Sequence, residues 1–302
     1  MTDFRSGFVA IVGKPNVGKS TLINALLGQK IAAVSPRPQT TRRRQLGILT
    51  TPSAQLVFVD TPGMHIPRHK LGKFLNQEAE EALSGVDVIL FLVDLSRPPD
   101  EQDKLIAGLL AQLKHPPRLV LGLNKLDLLP PDEMQPRTAL YQALLPSAMC
   151  LSFSALHGEG RQALLDQLIE FLPQRLPDYP PDQLTDLYER EIAADLIREA
   201  ALLFLRDEVP HGLAVRIDEF TERGESGAYI GATLFVERES QKGIVIGEGG
   251  LMLKKIGSSA RQEIESMSGR KVFLELRVKV ARDWRNDENL LTRFGFRLKK
   301  KK

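Results

Sequence analysis

A single cysteine among 302 residues leaves no partner for a disulfide within the chain. The apolar stretch around Cys150, AMCLSFSA, predicts a small buried side chain rather than a reactive thiol, and a reducing compartment suits it. Long apolar runs are missing as well: no segment reaches the roughly 18 uninterrupted apolar residues that a bilayer-crossing helix needs. The opening stretch, MTDFRSGFVAIVG, enters a strand-like run without the basic and apolar stretches of an export signal, so the expected location is cytoplasmic. An excess of one charge is lacking too. With 41 basic against 38 acidic residues the net charge is only +3, so the total points to no partner and the distribution has to decide. One basic region stands out, the tail FRLKKKK, with Arg293 and Arg297 beside its lysines. Histidines are few. His65 and His69 lie four apart with no third ligand nearby and read as mobile surface residues, and His115, His157 and His211 fall in loops, so the histidines suggest no separate metal site.

What is present is enough apolar sequence, 42%, to bury a core, in a chain long enough for two domains. Short aliphatic runs (FVAIVG, AQLVFVDTPG, VDVILFLVDLS, PRLVLGLNKLD, AMCLSFSA) alternate with helical patterns over the first part. That rhythm predicts an α/β domain with a mostly parallel sheet and crossover helices, with the uninterrupted run Val86 to Leu95 in the middle of the sheet. Arg44 to Thr51 reads as an antiparallel edge strand. After a helix from about Gly160 to Leu172, the prolines of PQRLPDYPPDQLTD (Pro173, Pro177, Pro180, Pro181) prevent a continuous helix. The expected division is therefore a first domain over 1–173, a linker over 174–184 and an α+β domain over 185–302. The second domain should run helix (Asp186 to Arg206), two strands (Leu213 to Arg223, Tyr229 to Glu239), a glycine turn, a further helix, and a strand from Lys271 to Ala281. Trp284 reads as a core anchor after that strand.

GKPNVGKS, between the first strand and the first helix, has glycines that let main-chain N–H groups curl around a polyphosphate. The helix N-terminus adds its positive dipole end, Lys19 a point charge and Ser20 a Mg²⁺ ligand. The loop itself, Gly13, Lys14, Pro15, Asn16, Val17, Gly18, Lys19, Ser20 and Thr21, is the expected phosphate cradle. The tetrapeptide Asp60, Thr61, Pro62, Gly63 ends a core strand, with a carboxylate to hold the metal through water and a backbone N–H at Gly63 to face a γ-phosphate. Asn124, Lys125 and Asp127 end another strand, and Ser154, Ala155 and Leu156 follow the last; both lie where an open α/β sheet binds its ligand. Asp127 identifies the base. Its carboxylate accepts from guanine N1–H and the 2-amino group, whereas adenine would present a lone pair to the charge. Lys125 is expected along the ring, and the Ala155 N–H on the guanine oxygen.

This order of motifs resembles the translation-factor-like P-loop GTPases. The resemblance implies GTP/GDP and Mg²⁺ as cofactors, Lys19, Thr41 and Gly63 as the catalytic groups, and SPRPQTTRRRQLG as the first switch, with Thr41 favoured over Thr40 to join Ser20 and Asp60 around the metal. Arg42, Arg43 and Arg44 read equally as a solvated loop or as a contact to RNA or an effector. In signalling GTPases a glutamine follows the DxxG glycine and orients water. Here Met64 stands there, so slow hydrolysis is expected until a partner, a rearranged switch or a monovalent cation assists. Relatives with an asparagine placed like Asn16 are in several cases activated by K⁺, which makes K⁺ a third expected cofactor, with a structural cap as the other reading of Asn16.

A second glycine turn, Gly247, Glu248, Gly249, Gly250, falls between two helix-like segments of the second domain. The order of elements around it resembles the type II KH domain, whose GxxG backbone clamps single-stranded RNA. On that resemblance the RNA-binding residues are Lys242, Gly247, Glu248, Gly249, Gly250, Lys254, Lys255 and Arg261. Glu248 departs from the basic residue common between such glycines, so contact there would come from main-chain N–H groups. Ile244, Ile246, Leu251 and Ile256 read as core. Taken together, the asparagine in the phosphate loop, PQTTR, the proline-rich linker and one C-terminal KH domain resemble the Era family over essentially the whole chain. That implies a GTP-hydrolysing protein that binds small-subunit ribosomal RNA near its 3′ end and assists assembly of the small ribosomal subunit, acting as a monomer. The rival reading is a switch that recruits protein partners at the inner membrane surface, with peripheral association through the lysine tail.

Overall fold

The computed structural model describes residues 3–35, 41–42, 44–63, 70–71, 75, 77, 81–113, 116–223 and 227–296. Thr40, Arg43, Met64, His65, His69, His115, Arg297 and the terminal lysines, all singled out in the sequence, lie outside them. The chain divides into two compact units, with residues up to Asp186 grouped in the first and Leu187 onward in the second; among the described residues, 32–35 and 70–71 group with the second.

The first unit is built on a six-stranded sheet of order β2-β3-β1-β4-β5-β6. Its strands are β1 (Arg5–Val12), β2 (Gln45–Thr50), β3 (Ala54–Asp60), β4 (Val88–Asp94), β5 (Arg118–Asn124) and β6 (Met149–Ser152). All neighbours are parallel except β2, which runs antiparallel to β3 at the edge. Its helices include α1 (Lys19–Leu27), α2 (Glu101–Ala111), α3 (Met134–Gln142) and α4 (Arg161–Phe171). Alternate residues of β1 and β4 enter two separate cores: Val9, Ile11, Val88 and Leu90 pack on one face of the sheet, Ala10, Val12, Ile89 and Phe91 on the other. Both faces are covered, so these strands are apolar without interruption. Cys150 on β6 is half-buried rather than fully buried, because β6 is an edge strand, and burial still pushes its thiol pKa up.

The proline-rich stretch 174–184 is not a free spacer. Arg175 N donates to Phe4 O at 3.2 Å, and the N–H groups of Asp178 and Tyr179 both reach Gln55 Oε1, at 2.8 and 3.0 Å. Ile48 N donates to Leu184 O at 2.8 Å and Leu46 N to Asp186 Oδ1 at 2.8 Å. The segment, with Asp186 just beyond it, thus satisfies outward-facing donors of β2 and covers an edge that would otherwise invite pairing with another chain.

The second unit carries a three-stranded sheet, β7 (Ala214–Glu222), β8 (Gly227–Val236) and β9 (Lys271–Val280), in that order. β7 and β8 are antiparallel; β8 and β9 are parallel and joined by a crossover of two helices, α6 (Glu239–Ile246) and α7 (Leu251–Ser268). With α5 (Glu189–Phe204), α7 covers one face of the sheet: Ile256, Ala260 and Ile264, one helical turn apart, pack with Leu196, Ile197, Ile230 and Leu234. Trp284 is fully buried, donates from Nε1 to Gly212 O at 2.8 Å, and contacts Phe294 and Phe296 at the short closing helix α8 (Glu288–Arg293). The four apolar residues expected in the core divide. Ile256 is fully buried, but Ile244 and Leu251 are 51% and 67% exposed and Ile246 is only half-buried. α6 has eight residues and presents mainly Val245 inward, which leaves its neighbours on the outside.

Candidate functional site

The first glycine turn leads from β1 directly into α1. Gly18 caps the helix at φ +103°, and Asn16 adopts φ +66°, a left-handed conformation that asparagine tolerates better than most side chains. Close approach also demands glycine here. A Cβ on Gly18 would lie 2.2 Å from Asn124 Nδ2, and one on Gly63 would lie 2.8 Å from Pro15. The turn after β3 and the end of β5 are thus both packed against the phosphate loop.

Three hydroxyl or carboxylate oxygens converge beside that loop. Ser20 Oγ donates to Asp60 Oδ2 at 2.9 Å, lies 3.0 Å from Thr41 Oγ1, and Thr41 Oγ1 is 3.3 Å from the same Asp60 oxygen. These are hard donors with one negative charge, a set suited to Mg²⁺ that keeps water and phosphate as its remaining ligands. Thr61, by contrast, turns inward and donates to Ile11 O at 2.8 Å, a structural bond that fixes the strand end. Thr41 is therefore within reach of the metal position.

At the other end of the site Asn124 ties two loops together. Its Nδ2 donates to Val17 O at 2.7 Å and its Oδ1 accepts from Ala155 N at 2.8 Å. The Ala155 N–H expected on guanine is thus engaged by Asn124 in this structure. Lys125, at φ +67°, donates from Nζ to Asp94 Oδ2 at 2.6 Å. Burial pushes the Asp94 carboxyl up, and the hydrogen bonds from Lys125 and Ser96 outweigh it and hold the group below the usual carboxylate range. Asp94 escaped the sequence reading. A buried carboxylate ending the central strand, one strand away from the NKLD turn, was the available signal. Asp127 lies in the turn that follows, with His157 Nε2 3.8 Å away. Ser154 is fully buried and accepts from His157 N at 3.0 Å, while Leu156 is exposed.

Lys19 is buried and donates to the carbonyls of Gly13 and Lys14, at 3.1 Å each, leaving a third N–H for a ligand. Burial lowers its pKa to about 8, against which Asp60 returns only part. The sign follows from linkage: charging Lys19 costs stability below about pH 8, and that cost disappears as pH rises toward the ordinary lysine value of 10.5. A polyphosphate beside the ammonium restores the charged form. Binding of GTP at pH 8 is therefore expected to take up about half a proton. Calorimetry in buffers of different ionisation enthalpy measures this, and zero uptake would mean that Lys19 is already fully charged in the free protein.

The second glycine turn joins α6 to α7. Gly247, Gly249 and Gly250 all have positive φ, at +72°, +54° and +80°. Beside it lies a groove of about 420 Å³ lined by Gly250, Leu253, Lys254, Gly257, Ser258 and Arg261 of α7 and by Phe273, Leu274, Glu275 and Leu276 of β9. Lys254, Ser258 and Arg261 share one helix face. The adjacent Lys255 does not join them: its Nζ sits 4.4 Å over the ring of Phe204. Lys242 lies 3.8 Å from Glu239 on α6, and neither it nor Glu248 lines the groove. Phe273 was missed in the sequence. It is 63% exposed and stacked on Tyr229 with ring centroids 5.8 Å apart, so one flat apolar face stands open at the groove. Its place among the apolar residues of β9 disguised it as core.

Comparison with known proteins finds a match within each unit. Residues 8–125 match a family model described as 50S ribosome-binding GTPase, and residues 208–285 match the KH domain. The chain is 38% identical to Era crystallised with MgGDPNP and nucleotides 1506–1542 of 16S ribosomal RNA; 98% of this chain and 100% of that one are covered, with a TM-score of 0.93. It is also 38% identical, over the same shares, to a tyrosine-to-alanine variant of Aquifex aeolicus Era bound to GDP and AlF4⁻, with a TM-score of 0.92.

Proposed function

Because the chain belongs to the Era family of GTPases, we propose that it binds and hydrolyses GTP, engages small-subunit ribosomal RNA near its 3′ end, and assists assembly of the small subunit. The observation that carries this reading is the presence of two different glycine bends in one chain, one beside the converging oxygens of Ser20, Thr41 and Asp60, the other opening onto a groove with Lys254 and Arg261. The 50S description belongs to a model that covers only part of the first unit, whereas the relative solved with 16S ribosomal RNA matches along the chain, which favours the small subunit. On this reading the protein acts in the cytoplasm, and since one chain carries both sites, the reading needs no second copy.

In the hydrolytic step Lys19, aimed by two loop carbonyls, binds the β- and γ-phosphates, and the Gly63 N–H faces the γ-phosphate. Ser20, Thr41 and Asp60 would hold Mg²⁺, which supplies charge to the phosphate oxygens as they become more negative. Asp127 and Lys125 hold the guanine. In the second unit the main-chain N–H groups of the GxxG turn grip the sugar-phosphate of a single strand, Lys254 and Arg261 supply charge, and Phe273 offers a ring for a base.

The reading is tested by titrating the purified protein with a 3′-terminal small-subunit RNA fragment and with GTP and ATP in competition. GTP should win by about 10⁴-fold, and RNA affinity should fall steeply with salt because each phosphate contact releases counterions. Equal affinity for ATP, or RNA binding indifferent to salt, would overturn it. We further propose that Asn16 makes hydrolysis K⁺-dependent. Turnover should then be faster in K⁺ than in Na⁺, and equal rates would remove the idea.

A further inference from the structure

Lys14, the second residue of the phosphate loop, makes a contact that nucleotide binding does not require. Its side chain is only 11% exposed, and its Nζ donates to Asp100 Oδ2 at 2.8 Å and to Asp103 Oδ2 at 2.7 Å. Both carboxylates also build the N-terminus of α2: Asp100 Oδ1 accepts from the N–H of Gln102 and of Asp103, and Asp103 Oδ2 accepts from the N–H of Asp100 at 3.0 Å. α2 itself is fixed to the sheet, since Ile106 and Leu110 pack with Ile89, Phe91 and Val93. Asp103 is therefore a buried, immobile anchor, and the ammonium of Lys14 is clamped to it. The main chain of the same residue reaches the chemistry, because the Lys14 carbonyl is one of the two that hold Lys19 Nζ.

A device for stability alone would be built differently. Asp103 is fully buried, and its Oδ1 receives no hydrogen bond among the described residues. A half-satisfied buried charge is a poorer source of stability than an apolar pair of the same size. Burial would lower the pKa of Lys14, and the two carboxylates more than offset it and hold the ammonium charged, while burial pushes the Asp103 carboxyl up from the usual carboxylate range.

We propose that the Lys14–Asp103 ion pair is a positioning device for Lys19: it locks the phosphate loop to α2 and so aims the Lys14 carbonyl that orients the Lys19 ammonium. The inference rests on the reading of Lys19 as the lysine that meets the phosphates. Misplacing such a group by about 1 Å can cost on the order of 10²-fold in rate.

The test uses the full chain and four variants: Asp103→Asn, Asp103→Leu, Lys14→Met, and the double variant Lys14→Met/Asp103→Leu. GTP affinity, single-turnover hydrolysis and the midpoint of thermal unfolding are measured on each. Every single variant should bind GTP about tenfold or more weakly and hydrolyse it correspondingly slowly. The double variant should be no worse than the poorer single one, because both changes remove the same pair. It should also unfold closer to the parent's midpoint than Asp103→Leu does, since an apolar pair replaces the ions and only the Asp100 N–H loses its acceptor, while its GTP affinity stays low. A merely structural pair would behave otherwise: restored stability would restore binding. Parent-like GTP affinity and hydrolysis, within about twofold, in the double variant or in Asp103→Asn would overturn the proposal; should the double variant not fold, the isosteric Asp103→Asn decides alone. If the parent itself ignored GTP, the failure would lie with the proposed function instead.

Discussion

Replacing Asp127 by asparagine is expected to weaken GTP binding by about 10³-fold or more and to open the site to xanthosine triphosphate. Guanine presents two donors side by side, N1–H and the 2-amino group, and a carboxylate offers two acceptors to match. An asparagine keeps one acceptor but sets an N–H against the amino group, so one guanine donor loses its partner inside a site from which water is excluded. Xanthine carries a carbonyl in place of that amino group, and the asparagine N–H then finds an acceptor. The rest of the site is untouched by the change, because the loops are held by Asn124, through Val17 O at 2.7 Å and Ala155 N at 2.8 Å, and not by Asp127. Competition between GTP, xanthosine triphosphate and ATP against a fluorescent nucleotide measures the switch. ATP should remain excluded throughout. If the variant bound GTP within about tenfold of the parent, Asp127 would not be the residue that reads the base.

How much of this was legible in the sequence depends on whether the constraint was local. The phosphate loop is a backbone shape, and Gly13, Gly18, Lys19 and Ser20 stand at fixed spacing because the chain cannot otherwise curl around phosphate. The central strands were legible for a related reason: burial on both faces forces β4 to be apolar at every position from Val88 to Val93. Constraints that depend on distant partners left no such trace. The path of 174–184 is set by Gln55, whose Oε1 takes the N–H groups of Asp178 and Tyr179. Lys254 and Lys255 are adjacent in sequence and about 100° apart around α7, so one lines the groove while the other caps the ring of Phe204. Nothing near Lys14 in the sequence announces Asp103, which reaches it only because α2 follows the central strand next to β1.

A carboxylate at the second glycine turn should have the opposite selectivity: Gly250→Asp is expected to lower affinity for the ribosomal RNA fragment by about 100-fold or more while GTP affinity and hydrolysis stay at the parent's level. Gly250 has φ +80°, so any side chain there bears a backbone strain of about 1–2 kcal/mol. Strain alone does not explain the expected loss. A Cβ at this position meets nothing within 4 Å, and the core of the second unit, around Leu196, Ile230 and Ile256, lies elsewhere. The fold should therefore persist. What changes is charge, since Gly250 lines the groove together with Lys254 and Arg261, where the phosphates of a bound strand would run. Gly250→Asn separates the two causes, because asparagine tolerates the left-handed backbone about as well as aspartate and carries no charge. The asparagine variant should keep most of the affinity, and the gap between the two variants should narrow as salt screens the repulsion. Filter binding across a salt series reads both effects. Parent-like RNA binding by the aspartate variant would remove the groove from the RNA interface, and equal loss in both variants would assign the effect to backbone strain rather than to phosphate recognition.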